Sequence, residues 1–307
     1  MVVQTLFLAA LLALQPAATV TYDSTPAWAP DGRHIAFLRA RPTTSTGQYA
    51  VFVVRPDGQG LRRVGPTTDE APAWSPDGRT LAIGRPLPGD RTAIVLARAD
   101  GDKVEQIAVG RFPAWSPSGR RIAFVNGSGS GIAAVDVRSR RVRQIAIEFP
   151  SIPRWLGRPA WSPDGARLAL DFDRAVGVVS ARGGSVLVLG AGYAPAWSPD
   201  GRLIAAACDP GQLVWFASPT GPSRDCSGPL SLSTGPPQWT SDGRRVVVSG
   251  CFNGDDCTIW IQARGDPGKR NLAPGVSPSW SPNGRSIVFA RADNDKCGRF
   301  PPLPDGR

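Results

Sequence analysis

The chain of 307 residues has one histidine, three lysines and no Cys-x-x-Cys pair. So few ligands leave a zinc site almost nothing to draw on, and neither a metal nor a cofactor is expected. Room for helices is also short. With 31 prolines and 35 glycines, about one residue in five punctuates regular structure, and an all-β fold follows. The 41% apolar content is too high for a disordered chain and sufficient for a packed core. Arginine makes up all but three of the 35 basic residues, against 25 acidic ones, giving a net charge of +10. These arginines are spread through the chain, many recurring at one repeat position, with no exposed aromatic ladder between them, so a nucleic-acid partner is not expected; codon bias in a GC-rich genome accounts for the imbalance.

No apolar stretch reaches the roughly 20 residues of a spanning helix. The longest, Leu6 to Leu14 (LFLAALLAL), is followed by Gln15-Pro16-Ala17-Ala18. That pattern reads as a signal peptide over residues 1–18 cleaved after Ala18, although Met1 to Thr5 carries no basic residue. An exported, extracytoplasmic bacterial protein without a membrane span is expected. All five cysteines lie in the last third, where export permits disulfides. Cys251 and Cys257 flank a short Phe-Asn-Gly-Asp-Asp tip, and Cys208 has Cys226 as its nearest partner. Two bridges are expected, leaving Cys297 free.

Seven segments share one pattern, among them PAWAPDGRHIAFLR from Pro26, PAWSPDGRTLAIGR from Pro72 and PSWSPNGRSIVFAR from Pro278. Trp28, Trp74, Trp115, Trp161, Trp197, Trp239 and Trp280 are separated by 46, 41, 46, 36, 42 and 41 residues, a period near 42. Such a period marks a repeat architecture. Ser-Pro-Asp-Gly suits a type I turn, with Ser opening it, Pro presetting φ and Gly taking a positive φ at the fourth place. The turn joins a Trp-bearing strand to a second strand such as Arg33 to Phe37. Two further β-rich runs follow, separated by a second Gly-bearing turn. Four antiparallel strands, A to D, in each repeat make one propeller blade.

The P-x-W-S-P-D-G-R-x-I-A-F element resembles the repeat of TolB-type β-propellers, and the resemblance spans residues 26–291. It implies a single β-propeller domain over residues 19–296, with residues 297–307 as a tail. Seven tryptophan strands predict seven blades, where that family usually has six; six remains the alternative. Fewer than thirty residues precede the first repeat, so the family's N-terminal α/β domain is expected to be lacking. The last repeat stops early, and Thr19 to Tyr22 is expected to complete it, closing the ring with strands from both ends.

Repeated position decides most residue roles. His34 shares its slot with Thr80, Arg121, Leu203, Arg245 and Ser286, which makes it a strand residue on the solvent side rather than a base. The turn serines Ser75, Ser116, Ser162, Ser198 and Ser281 cannot all be nucleophiles beside a single histidine. The tryptophans pack between adjacent sheets. Asp171 and Asp173, Asp255 and Asp256, and Asp293 and Asp295 lack the further oxygens that Ca²⁺ requires, and read as solvated loop carboxylates.

The A–B and C–D turns lie on one side of such blades, and the longer, more individual B–C and D–A loops on the other. Variable loops on a rigid scaffold carry function. Arg154, Trp155 and Arg158 form a loop cluster toward which Arg85 and Arg91 could converge, a surface suited to a carboxylate-bearing protein or peptide. By its resemblance the chain is expected to be a monomeric, non-catalytic scaffold binding a partner in the cell envelope. The alternative is a propeller enzyme or a carbohydrate-binding protein acting on a cell-wall or extracellular substrate. No G-x-S-x-G element or histidine cluster supports an enzyme.

Overall fold

A computed structural model describes residues 23–40, 49–68, 70–101, 103–208, 212–217, 235–252, 256–264, 266 and 268–290. Every regular element among them is a strand. Repeat 1 forms an antiparallel sheet from Asp23–Trp28, Ile35–Ala40, Tyr49–Val54 and Arg62–Thr68, hydrogen-bonded in chain order. Repeats 4 and 6 do the same, with strands Ala160–Trp161, Arg167–Phe172, Ala175–Ser180 and Leu187–Ala191, and Gln238–Trp239, Arg245–Phe252, Asp256–Ala263 and Lys269–Pro274. Repeats 2 and 3 are continuous: the long strand Val104–Trp115 serves first as strand D of repeat 2 and then as strand A of repeat 3. Three strands of repeat 5 and two of repeat 7, Val276–Trp280 and Ile287–Ala290, are described. Thr19 to Tyr22, the signal segment, Cys226 and Cys297 lie outside the described residues.

The turns have the expected chemistry. In repeat 5 the Gly201 N–H donates to the Ser198 carbonyl at 2.9 Å, with Gly201 at φ +69°. The Ser198 hydroxyl donates to the Asp200 carboxylate at 2.6 Å and accepts the Leu203 N–H at 2.9 Å. Ser198 is fully buried, so this hydroxyl belongs to the fold. Ser75, Ser162 and Thr240 repeat the arrangement, and Ser281 does so with the Asn283 amide oxygen in place of the carboxylate.

Strands B and C carry unbroken apolar runs because both of their faces are covered. Ile94 and Leu96 of repeat 2 share one core with Ile122 and Phe124 of repeat 3, and Val178 of repeat 4 shares another with Ile204 and Phe216 of repeat 5. The cores therefore lie between sheets, and burying them requires the neighbouring repeat.

The tryptophans sit at these junctions and do more than fill space. Five of the seven indole N–H groups reach back to a strand A carbonyl of the preceding repeat: Trp74 to Ala27, Trp115 to Ala73, Trp161 to Ala114, Trp197 to Ala160 and Trp239 to Ala196, at 3.0–3.1 Å. The residue in the His34 slot packs on the tryptophan of the repeat that follows. His34 stacks on Trp74, while Arg121, Arg167 and Arg245 place guanidinium groups over Trp161, Trp197 and Trp280. His34 is thus half-buried against a neighbour rather than simply solvent-facing.

Strand A alternates in kind. Repeats 2, 4 and 6 have two-residue A strands; repeats 1, 3, 5 and 7 have longer ones, bulged at a residue of positive φ before the proline. Those residues are Thr25, Phe112, Ala194 and Ser277, at φ between 46° and 56°. A left-handed residue other than glycine is held against a cost of about 1 kcal/mol, and its amide needs a partner. In three cases the preceding repeat supplies one. The Phe112 N–H donates to Glu70 at 2.8 Å, that of Ala194 to Asp171 at 2.7 Å, and that of Ser277 to the Ser249 hydroxyl at 3.0 Å.

The first and last described sheets also meet. Asp23–Trp28 packs against both strands of repeat 7, and the Trp28 backbone N–H donates to the Ser279 hydroxyl at 3.1 Å. The buried indole nitrogens of Trp28 and Trp280 have no hydrogen-bond partner among the described residues.

Candidate functional site

The two sides expected of the loops are present. Arg264 in the C–D turn of repeat 6 pairs with Asp200 in the A–B turn of repeat 5 at 2.7 Å, so both turn types share a side. Opposite them, a D–A loop is tied to a B–C turn. The Arg154 and Trp155 N–H groups donate to the Asp173 carboxylate at 3.1 Å, and Leu156 bridges to Phe172. Phe149 packs edge-on against the Phe172 ring at 5.2 Å.

The residues on either side of that carboxylate explain the loop's shape. Asp173 and Arg174 both have positive φ and form the two-residue hairpin turn between strands B and C of repeat 4. Asp173 therefore aims its carboxylate at the neighbouring loop. With Leu156 and Gly157 buried, the loop is pinned from below and its tip stands out, leaving Ile152 88% and Trp155 48% exposed. Arg154 is exposed beside them.

Arg158 points elsewhere. Its guanidinium donates to the Ala71 carbonyl in the loop that opens repeat 2, bypassing repeat 3. Burial depresses its pKa, and the neighbouring Glu70 opposes that shift. Glu70 is itself buried, accepts the Arg111 Nε at 2.9 Å as well as the Phe112 N–H, and fills the space where Gly84 has no side chain. Arg158 and Arg111 thus belong to a structural cluster around Glu70 that ties repeats 2, 3 and 4 together. Arg85 donates to Gln106 at 2.7 Å, and Arg91 is exposed at its hairpin. Arg158 is thus engaged at Ala71 and Arg85 at Gln106, while Arg154 and Trp155 stand together on the loop tip, with Ile152 as a neighbour that no repeat position signals.

Asp171 and Asp173, two residues apart, have opposite roles. Asp171 is buried, holds the Ala194 N–H through Oδ2 and has no partner for Oδ1. Burial outweighs its backbone hydrogen bonds and pushes its pKa up to about 6. A Cβ at Gly157 would lie 1.9 Å from Oδ1, so the loop passes close above the carboxyl only because that residue is glycine. A sequence signal for Asp171 exists in hindsight: Asp171, Ser249 and Gly84 each stand ten residues after the tryptophan of an even-numbered repeat.

In the last cysteine-bearing sheet, Cys251 stands opposite Cys257 in register across the B–C hairpin. No described helix is long and apolar enough to cross a membrane.

Residues 88–299 match the family described as the TolB beta propeller domain. No curated protein matches the chain. Among solved structures, TolB from Acinetobacter baumannii is similar with a TM-score of 0.57 and 20% identity, over 81% of this chain and 66% of that one. The chain therefore spans about two thirds of the length of that protein. A putative TolB from Agrobacterium tumefaciens gives a TM-score of 0.50 at 15% identity, over 89% and 91% of the two chains. The β-propeller domain of the Trilobed protease from Pyrococcus furiosus, described as having an open velcro topology, gives 0.59 at 13% identity, over 92% of each. At these identities the likeness is one of fold: successive antiparallel blades of a β-propeller.

Proposed function

Because the chain belongs to the TolB β-propeller domain family, we propose that it is a non-catalytic propeller scaffold that binds a protein or peptide partner outside the cytoplasm. The observation carrying this reading is the pinned loop that projects Ile152, Trp155 and Arg154. Asp173 and Phe172 hold its base, so the apolar tip stays exposed without large entropic loss on binding. Trp and Arg are the residue types that dominate interface energetics, and a basic tip complements a carboxylate-bearing segment.

The scaffold in this reading is a ring of seven blades, with repeat 7 seated against repeat 1 and Thr19 to Tyr22 completing its sheet. The register of Cys251 and Cys257 supports a bridge across that hairpin, and Cys208 with Cys226 forms the second. Export through the signal segment at residues 1–18 places the protein where such bridges form.

The test compares immobilised wild-type protein with a Trp155→Ala/Arg154→Glu variant, both exposed to a cell-envelope extract. One protein band should be retained by the wild type and lost by the variant, with the melting temperature within a few degrees for these surface changes. Arg158 is left intact because it holds Ala71. Retention of the same band at wild-type affinity by the variant would place the partner elsewhere.

A further inference from the structure

Along the sequence the basic residues are scattered, but the fold gathers them. The A–B turns occupy residues 29–34, 75–80, 116–121, 162–167, 198–203, 240–245 and 281–286. The described C–D turns, with the strand ends beside them, occupy 55–63, 98–105, 136–143, 180–187 and 263–270. Together their described residues include 22 Lys or Arg against 10 Asp or Glu, a surplus of 12 on one side of the molecule. All other described residues include seven of each. Among the described residues the positive surplus is thus confined to one side.

The repeat produces this asymmetry. Arg33, Arg79, Arg120, Arg202, Arg244 and Arg285 follow the turn glycine in six of seven repeats, and all six are exposed. The turn carboxylates, whose charge is already counted in that surplus, hold the turns, as Asp77, Asp200 and Asp242 do through a hydroxyl and a backbone N–H. Hydrogen bonds from these groups hold Asp77 and Asp242 below the usual carboxylate pKa.

Apolar residues interrupt the same side. Leu61, Val104, Val142 and Leu187 stand exposed where strand D leaves its turn in repeats 1 to 4. By contrast, the one large aromatic side chain that is exposed among the described residues, Trp155, is on the loop side. Nucleic-acid surfaces commonly combine basic charge with stacking aromatics or a groove-entering element, and these turns offer neither. Distributed cations with interspersed aliphatic side chains suit a bilayer of anionic lipids, where arginines meet headgroup phosphates and aliphatic tips enter the interface.

We propose that the turn side docks on an anionic lipid bilayer, leaving the loop side free. The test is co-sedimentation of the full chain with vesicles of phosphatidylcholine alone or with phosphatidylglycerol added. Binding is expected only to the anionic vesicles and should fall as salt rises through the physiological range. Arg33→Glu, Arg79→Glu, Arg120→Glu and Arg244→Glu combined should weaken it by about a hundredfold or more, without moving the melting temperature by more than a few degrees. The same four positions changed to Gln give an intermediate loss and serve if charge reversal impairs folding. Equal binding to both vesicle types, or none to either, overturns the proposal. So does displacement by a double-stranded oligonucleotide at lower concentration than by anionic vesicles, which would make nucleic acid the ligand. If Trp155→Ala weakens vesicle binding as much as the four turn changes do, the loop side meets the bilayer and the proposal fails, while envelope-partner capture is read separately.

Discussion

Asp171 combines a hydrogen bond the fold requires with a carboxyl the fold would keep neutral. Its pKa is raised from an ordinary carboxylate value to about 6, so the native state holds the proton more firmly than the unfolded chain does. The stability contributed is complete below about pH 4 and is lost as pH rises through about 6. Urea titrations of the wild type and of Asp171→Asn should therefore diverge: the wild type's relative stability falls by roughly 3 kcal/mol between about pH 4 and 7, a two-unit shift at about 1.4 kcal/mol each. A pH-independent difference would mean that the carboxyl is ionised throughout. The tryptophans permit a matched comparison. Trp161 and Trp280 are buried to within a percentage point of one another, but only Trp161 has a partner for its indole N–H. Trp161→Phe should cost about 1–2 kcal/mol more than Trp280→Phe in denaturant midpoints, because it leaves the Ala114 carbonyl unpaired. The packing role of these residues was legible from their recurrence. Their bonds to the preceding repeat were not, since a period shows that a position matters without showing which atom faces which neighbour.

Among the elements, the Ser-Pro-Asp-Gly turn was the most legible, because its four residues each have a local conformational reason to be there. Ser198→Ala removes one acceptor and one donor from a fully buried place, leaving the Leu203 N–H without its partner. The expected loss is about 1–3 kcal/mol by thermal or chemical unfolding. Ser116→Ala should cost less, since Ser116 is bonded to a neutral Ser118 hydroxyl where the turns of repeats 2, 4, 5 and 6 have a carboxylate. The loop from 146 to 159 was only half legible. Trp155 and Arg154 were visible as residues outside the repeat, but Arg158 turns inward to Ala71, and the chain's course depends on Asp173 two strands away. Arg85 and Arg91 looked like natural companions because B–C and D–A loops share a side; the hairpin instead gives Arg85 to Gln106. Loop convergence is a tertiary fact, set by which sheet lies beside which, and nothing local encodes it.

For the whole molecule, the scattered arginines show what a repeat can hide. Spaced by a whole repeat they form no cluster in the sequence, but the period that separates them along the chain superimposes them in space. The indole bonds carry the same lesson in a different direction. Every one of them runs from a later repeat to an earlier one, so its acceptor has already been made when its donor is synthesised. A chain leaving the ribosome or a secretion channel amino end first can therefore fasten each blade onto one already present, and a fragment ending after strand D of repeat 3 should already hold the Trp74 and Trp115 bonds. Only the first blade has to wait: the Ser279 hydroxyl that receives the Trp28 N–H follows it by 251 residues. Contact between the first sheet and the last described one would then be the last event of biogenesis, and any chain interrupted in passage would be left with an open first blade and its edge exposed to whatever meets it.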